Sequence, residues 1–501
     1  MGHEESEPNS SKLSNLSTAK DAECQEQEDS SIETSSAKPE PLYCVLSEWA
    51  KILTICTCSM VIFLGPISAG IYLPALGSMA RDMNVSISEI NLTITIFQAV
   101  SPLLTAGFSD QNGRRPVIIT CLFIFIGTSI GLACQTKFPI LLVLRCLQGF
   151  ASSSAVVIST ASVNDLVTRA ERGKYMLYTS LGVTLGPAIG PTLGGILTQY
   201  LGWRSVFWFL AICSSVVVSI MLLFLPETSR AVSTSPAMEQ MCATNSSTCG
   251  VRKRAQHTSQ FNQRPGIRQT LTMLLDAHVA LLVICSAANT FTSSAITNSL
   301  TTLLAANYKL IPLHIGLCYL PFTFGGLSSR WTAGTIADWL YRRQAHQIGE
   351  DIQPNRQSPE QLERMPLEKA RLRLTIPFVY FCCVCIVGYG WVMNYNVHLA
   401  GPLILLFFYG NATTGVSSTI AILAVDLNAS RPASTHAAMN LVSYLTSAGA
   451  VAAVVPLIDN TGVGWMGVIM AGVMIVTSPA LWALYIWGKA WKEKPSPKTC
   501  K

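Results

Sequence analysis

Gly107-Phe-Ser-Asp110-Gln-Asn-Gly113-Arg114-Arg115-Pro116 joins two long apolar stretches, and a related string, Gly334-Thr-Ile-Ala-Asp338-Trp-Leu-Tyr-Arg342-Arg343, recurs in the second half of the chain. A glycine, an acid and paired arginines at the edge of an apolar stretch, once per half, predict two similar helical bundles. Each bundle would carry a structured loop after its second helix. Gly113 permits a tight turn there, and Pro116 stops the second helix from running straight into the third.

Half of the 501 residues are hydrophobic and 12% are charged, with a mean hydropathy of +0.40. That is too little polar residue to cover one soluble globule of this size. A membrane-spanning helix needs roughly 20 mostly apolar residues. Twelve stretches qualify, and they define spans 1 to 12: 52–76, 90–108, 116–135, 138–162, 174–198, 205–225, 273–297, 312–333, 374–394, 401–424, 433–457 and 465–487. The expected fold is an all-α membrane protein of twelve transmembrane helices in two pseudo-symmetric six-helix bundles, 49–227 and 273–490. Residues 1–48, acidic and Ser-rich, read as a disordered tail. The segment 228–272, with its Arg252-Lys253-Arg254 run, reads as a linker, and 491–501 as a second tail.

Lysine and arginine alternate between the connections. Those after even-numbered spans hold nineteen, and those after odd-numbered spans hold four, Arg81, Lys137, Arg204 and Lys309. The basic side is cytoplasmic, so both tails and the linker are expected there, in a multi-pass protein of the cell membrane. The net charge of +6 reflects this bias and not a nucleic-acid partner. Most of the sixteen cysteines sit inside spans, which favours packing over disulfides. Cys382, Cys383 and Cys385 have no histidine or carboxylate beside them in sequence, so no metal site is expected, and no cofactor.

Four features carry mechanism. Arg145 lies about seven residues into span 4, roughly 10 Å deep at 1.5 Å per residue, where a charge costs about 2.5 to 3.5 kcal/mol. With Gln148 it is the principal substrate or proton-coupling candidate, against a bracing role on neighbouring backbones. Gln98, Asn289, Asn298, Asn411, Asn440 and Tyr444 are uncharged cavity candidates, although amides in spans also bond one another across helices. Each half also places an acid at the cytoplasmic end of its fourth span, Asp165 and Asp426. Arg114 or Arg115 with Asp110 and Asp165 would form an inner-face latch, and Arg342 or Arg343 with Asp338 and Asp426 its twin. Finally, Gly182, Gly186, Gly190 and Gly194 recur every fourth residue along one face of span 5, with Gly195 beside them and Pro187 and Pro191 bending the helix.

These strings resemble the major facilitator superfamily over residues 49–488. The loop 107–116 is similar to its Gly-x-x-x-Asp-x-x-Gly-Arg-Arg motif, with Ala106 at the leading glycine and Gly107 one place later. Leu144-Arg145-Cys-Leu-Gln148-Gly149 resembles its span 4 motif, in which the arginine faces the cavity and takes part in proton coupling or anion binding. Gly182-Val-Thr-Leu-Gly186-Pro187-Ala-Ile-Gly190-Pro191-Thr-Leu-Gly194-Gly195 resembles the span 5 motif of its exporters. Asp426 to Ser443 looks like the fungal multidrug and organic-acid exporters of the twelve-span drug:proton antiporter branch. There an arginine follows the asparagine by three residues, whereas here Ser443 follows Asn440. The resemblance then leaves the cavity one cation short and disfavours a small multivalent acid.

The resulting expectation is secondary active export of a small organic molecule, a metabolite, drug or organic acid, by a monomer working through alternating access. Proton antiport is expected, although no span holds a carboxylate at depth, so coupling would use an edge acid, a histidine such as His436, or the charge of the cargo. An uptake symporter is the alternative, and a non-transporting sensor on the same fold is the rival of a different class. No Gly-x-x-x-x-Gly-Lys-Ser/Thr, His-Glu-x-x-His or Gly-x-Ser-x-Gly string is present, so neither an ATP-driven pump nor an enzyme is expected.

Overall fold

The computed structural model describes Gly2 and residues 48–83, 98, 100, 101, 104, 105, 108, 109, 113–166, 172–224, 276–348, 367–427 and 432–492. The expected tails, the linker 228–272 and most of span 2, Asp110 included, lie outside the described residues. So do the side chains of Asp165, Asp338 and His436.

Among the described residues there are helices and no strands, as a chain in hydrocarbon requires when each segment must satisfy its own backbone. Eleven helices run for 21 to 31 residues: Glu48–Gly70, Arg114–Cys134, Phe138–Leu166, Arg172–Leu201, Arg204–Phe224, Ala277–Asn307, Leu320–Ile348, Leu367–Asn394, Ala400–Leu427, Pro432–Thr461 and Val463–Lys492. They correspond in order to spans 1 and 3 to 12, and the described positions of span 2 from 98 to 109 are helical as well, consistent with twelve. Among the described residues, nine segments are apolar and long enough to cross a membrane by composition alone. Spans 5 and 8 fall short because glycines, hydroxyls and one arginine replace aliphatic side chains along them. Exposed apolar residues such as Leu223, Val384 and Val476 form the lipid-facing surface.

Spans 1, 7 and 8 depart most from the expected bounds, span 8 running from Leu320 to Ile348 and so well past its expected end at 333. Span 1 breaks after Gly70 into a 3-10 turn, Leu73–Ala75, and a short helix, Leu76–Met83. Span 7 continues to Asn307, ten residues past its expected end, and a separate turn of helix, Pro312–Leu317, precedes span 8.

Packing repeats between the halves. Span 1 lies against span 5 and span 3 against spans 4 and 6, while span 7 lies against span 11 and span 9 against spans 10 and 12. The connections out of spans 5 and 11 each turn on a glycine with positive φ, Gly202 at 80° and Gly462 at 84°, where any other residue would be strained. The halves meet where span 5 packs against Pro312–Leu317 and span 8, and where Leu73–Ala75 packs against Pro312–Leu317 and span 7.

Candidate functional site

A cavity of about 330 Å³ lies between the halves. Its wall is largely apolar: Pro66 and Leu73 of span 1, Val156 of span 4, Val183, Pro187 and Pro191 of span 5, and Phe322 of span 8. Set into it are Gln98, Ser152, Ser153, Thr297, Tyr319 and Tyr444. Among the described lining residues none carries a full charge. Such a wall suits an apolar body with a few hydrogen-bonding groups. The three prolines each lack the amide that would pair the carbonyl four residues earlier, which leaves backbone acceptors along spans 1 and 5.

Of the eight expected substrate-site residues, Gln98 and Tyr444 line this cavity. Asn440 is exposed on span 11 and Asn298 is partly buried beside Thr297, its Nδ2 donating to the Ser294 carbonyl at 2.8 Å. Asn289 and Asn411 are committed to packing. Asn289 donates to Ser417 Oγ at 2.7 Å and accepts from Thr413 Oγ1 at 2.9 Å, fastening span 7 to span 10. Asn411 donates to Ser328 Oγ at 2.7 Å and Thr332 Oγ1 at 3.1 Å, fastening span 10 to span 8.

Arg145 is inside the first bundle and not on the cavity wall, which corrects the expectation that it faces the cavity. It is 1% exposed, with its guanidinium between the rings of Tyr72 at 4.1 Å and Phe207 at 4.5 Å. Nη1 donates to Gln148 Oε1 at 3.1 Å, and Gln148 Nε2 donates to Ser129 Oγ at 3.0 Å. The i, i+3 spacing puts Arg145 and Gln148 on one face of span 4, so their pairing follows from the sequence. Nε and Nη2 of Arg145 are buried without a hydrogen-bond partner. The aromatic faces offset part of the charge's burial. Because Tyr72 adjoins Leu73, the arginine nevertheless supports the cavity wall from behind.

The glycines of span 5 fit span 1 closely. A Cβ would meet Phe63 N at 3.2 Å from Gly182, Pro66 Cβ at 2.6 Å from Gly186, Ile67 O at 3.1 Å from Gly190 and Ile71 O at 1.7 Å from Gly194. Gly195, one residue round the helix, faces the other half, where a Cβ would stand 2.6 Å from the Pro312 carbonyl oxygen. Gly316 returns the contact: a Cβ there would stand 2.4 Å from the Pro191 carbonyl oxygen. One face of span 5 therefore packs within its own bundle, another lines the cavity, and its C-terminal end touches the second half.

At the opposite end of the bundle, Gly113 adopts a φ of 94° immediately before span 3, the turn its sequence demands. Arg115 Nη2 donates to the Leu222 carbonyl at 2.9 Å, near the C-terminal end of span 6, where a cation is favoured. The expected second latch needs correction: Asp426 Oδ2 pairs with Arg371 Nη2 at 2.7 Å, whereas Arg342 is exposed and Arg343 lies over Trp339 at 5.2 Å. The end of span 10 and the start of span 9 are packed neighbours, so Arg371 reaches Asp426 directly.

Sequence reading alone overlooks Arg330. It sits in span 8, ten residues or roughly 15 Å from Leu320 along the helix, and Nη2 donates to Thr184 Oγ1 of span 5. Arg330 is thus a second cation within a span, although it is not among the residues that line the cavity. The signal that flags Arg145, a charge inside an apolar span, applies equally here.

The sequence profile of the Major Facilitator Superfamily matches residues 58–453. This chain belongs to that superfamily. It is 39% identical over 469 residues to the MFS-type transporter R5 of a Phoma species, covering 92% of this chain and 89% of that one. It is 38% identical, with the same coverage, to the MFS-type transporter clz19 of Cochliobolus lunatus, and 30% identical over 480 residues to Citrate exporter 1 of Aspergillus niger, covering 93% and 91%. The crystal structure of the human organic anion transporter MFSD10 (TETRAN) shares the fold, with a TM-score of 0.56 at 16% identity over 87% of this chain and all of that one. The protein is a multi-pass membrane transporter of the secondary type and not an enzyme. Membership in this transporter family implies a small-molecule substrate.

Proposed function

We propose that this major facilitator protein exports a small organic molecule, with an apolar body and a few hydrogen-bonding groups, across the plasma membrane in exchange for protons. The carrying observation is span 5, whose glycine stripe lets it lie on the backbone of span 1 while Val183, Pro187 and Pro191 line the cavity and Gly195 meets the opposite half. A helix that touches its own bundle, the cargo and the facing bundle at once can transmit a rocking motion, as alternating access requires.

The lysine and arginine asymmetry assigns the contact of Gly195 and Gly316 to the outer side, so this conformation is sealed toward the outside. Both termini are then cytoplasmic. Proton coupling is assigned to Arg145 and Gln148: a buried guanidinium with two nitrogens unpaired responds strongly to any charge arriving nearby, because the interior screens poorly. The Asp110 and Asp165 positions complete the first inner latch in this reading, with Arg114 and Arg115, and the pairing of Arg371 with Asp426 makes the second.

The cargo itself can be found by the same experiment that tests its direction. Deleting the gene in its native fungus and comparing intracellular with extracellular small molecules by mass spectrometry should reveal a compound retained in the cells, and a proton ionophore should cause the same retention in the wild type. A compound depleted from the deletion cells would mean uptake instead.

A further inference from the structure

We propose that Arg330 is a specificity-determining residue of the transport path, reading a carboxylate on the cargo, and that Thr184 is one of the groups that hold its guanidinium until that carboxylate arrives. The inference rests on the transport reading of the cavity. It adds an anionic group to a cargo that the wall alone describes as neutral.

Three observations converge. Arg330 lies within a membrane span, where an arginine costs about 2.5 to 3.5 kcal/mol and marks a functional position by default. Its bond to Thr184 crosses from one half of the molecule to the other, spanning 146 residues of sequence. Thr184 also follows directly on Val183, which lines the cavity, and lies on the same helix as Pro187 and Pro191 of that wall. The guanidinium therefore reaches span 5 beside Val183, on the cytoplasmic side of Phe322, from which it is eight residues or roughly 12 Å along the helix.

A threonine hydroxyl offers a guanidinium one neutral acceptor. A carboxylate offers two charged oxygens in the planar geometry that arginine matches, an interaction about twice as strong as a neutral hydrogen bond. Arriving cargo can then displace Thr184. Because that bond ties span 8 to span 5, its displacement removes one link between the halves, so recognition of the anion and release of the bundles are the same event. Tyr319, Tyr444 and Gln98 remain available to the uncharged part of the molecule.

The experiment measures thermal melting of the purified full-length protein in detergent at pH 7.5 with two matched pairs of probes, 2-naphthoate against 2-naphthamide and 4-phenylbutyrate against 4-phenylbutyramide. At least one carboxylate should raise the melting temperature more than its amide does. Arg330→Gln should abolish that preference, and Arg330→Lys should keep part of it. Thr184→Val, which removes the competing hydroxyl without touching the charge, should tighten carboxylate binding about two- to tenfold, the worth of one hydrogen bond. It also decides the matter if Arg330→Gln does not fold. Amides that stabilise as well as carboxylates in both pairs, a preference that survives Arg330→Gln, or unchanged carboxylate binding in Thr184→Val would each overturn the assignment. Melting involves neither a gradient nor a direction. Loss of the anion preference beside proven efflux sinks only the role of Arg330, and a preference without efflux sinks only export.

Discussion

Gly194 rides on the backbone of Ile71: a Cβ at Gly194 would stand 1.7 Å from the Ile71 carbonyl oxygen. Ile71 closes span 1, its amide bonded to the Ile67 carbonyl at 2.8 Å, immediately before the turn that delivers Tyr72 to Arg145 and Leu73 to the cavity. Neither helix can yield alone, because the obstacle is backbone. Gly194→Ala should therefore lower the melting temperature, overpacking costing about 1 to 3 kcal/mol, and abolish transport. Gly127 of span 3 has nothing within 4 Å of its Cβ position, so Gly127→Ala should leave both unchanged. Equal tolerance of the two substitutions would show that the close approach is dispensable.

Gly195 separates a different role from the same stripe. A Cβ there would press first on Pro312 and Leu313 of the other half. Gly195→Ala should leave the bundle intact and instead pry apart the outer contact, so that a cysteine introduced at Thr297 on the cavity wall becomes reactive to a membrane-impermeant maleimide from outside. The same introduced cysteine in the parent background should label slowly. Equal labelling rates would mean that Gly195 does not guard the outer side.

Much of this site is legible in the sequence because helical spacing alone brings residues together. Arg145 and Gln148 share a face at i, i+3, and the glycines align at every fourth position, so their partners within one helix and the tight packing along it follow from the chain. The rest requires knowing which helix ends are neighbours. Analogy between the halves assigns Asp426 to Arg342 or Arg343, yet packing of span 9 beside span 10 brings Arg371 to it. Asn289 and Asn411 read as cavity amides, but burial against span 10 hydroxyls and span 8 hydroxyls satisfies them locally. Depth in the membrane is readable from sequence, whereas the direction of a side chain around the helix is not, and that is why Arg145 reads as a cavity residue. The depth of Arg330 is readable in the same way, but the more conspicuous Arg342-Arg343 pair follows it on the same helix.

The Arg371 and Asp426 pair gives a pH signature. Burial raises the Asp426 carboxyl above its ordinary value, and Arg371 draws it part of the way back. A raised folded-state value means that the folded protein holds this proton more tightly than the unfolded chain. The resulting stabilisation is fully present below the ordinary carboxylate value and is lost as pH rises through the raised one. Asp426→Asn mimics the neutral carboxyl, so its melting temperature minus that of the wild type should increase as pH rises through the weakly acidic range. In Arg371→Gln, with the lowering partner gone, the wild-type carboxyl should hold its proton to still higher pH. A difference that is flat with pH would mean that the carboxyl keeps its ordinary value.

Arg145 tests whether position or mere charge matters in the first bundle. Its planar guanidinium is held between Tyr72 and Phe207 and bonds Gln148, which in turn bonds Ser129. A lysine keeps the charge but has neither the flat face for stacking nor the fork for Gln148, and it is more strongly hydrated. Arg145→Lys should therefore lose at least tenfold in transport rate, close to the loss in Arg145→Ala, while both proteins still reach the membrane in normal amount. Restored transport in the lysine variant alone would reduce the requirement to a positive charge. Full transport in both would make the arginine a brace for the bundle, and proton coupling would then have to pass through the inner-edge acids.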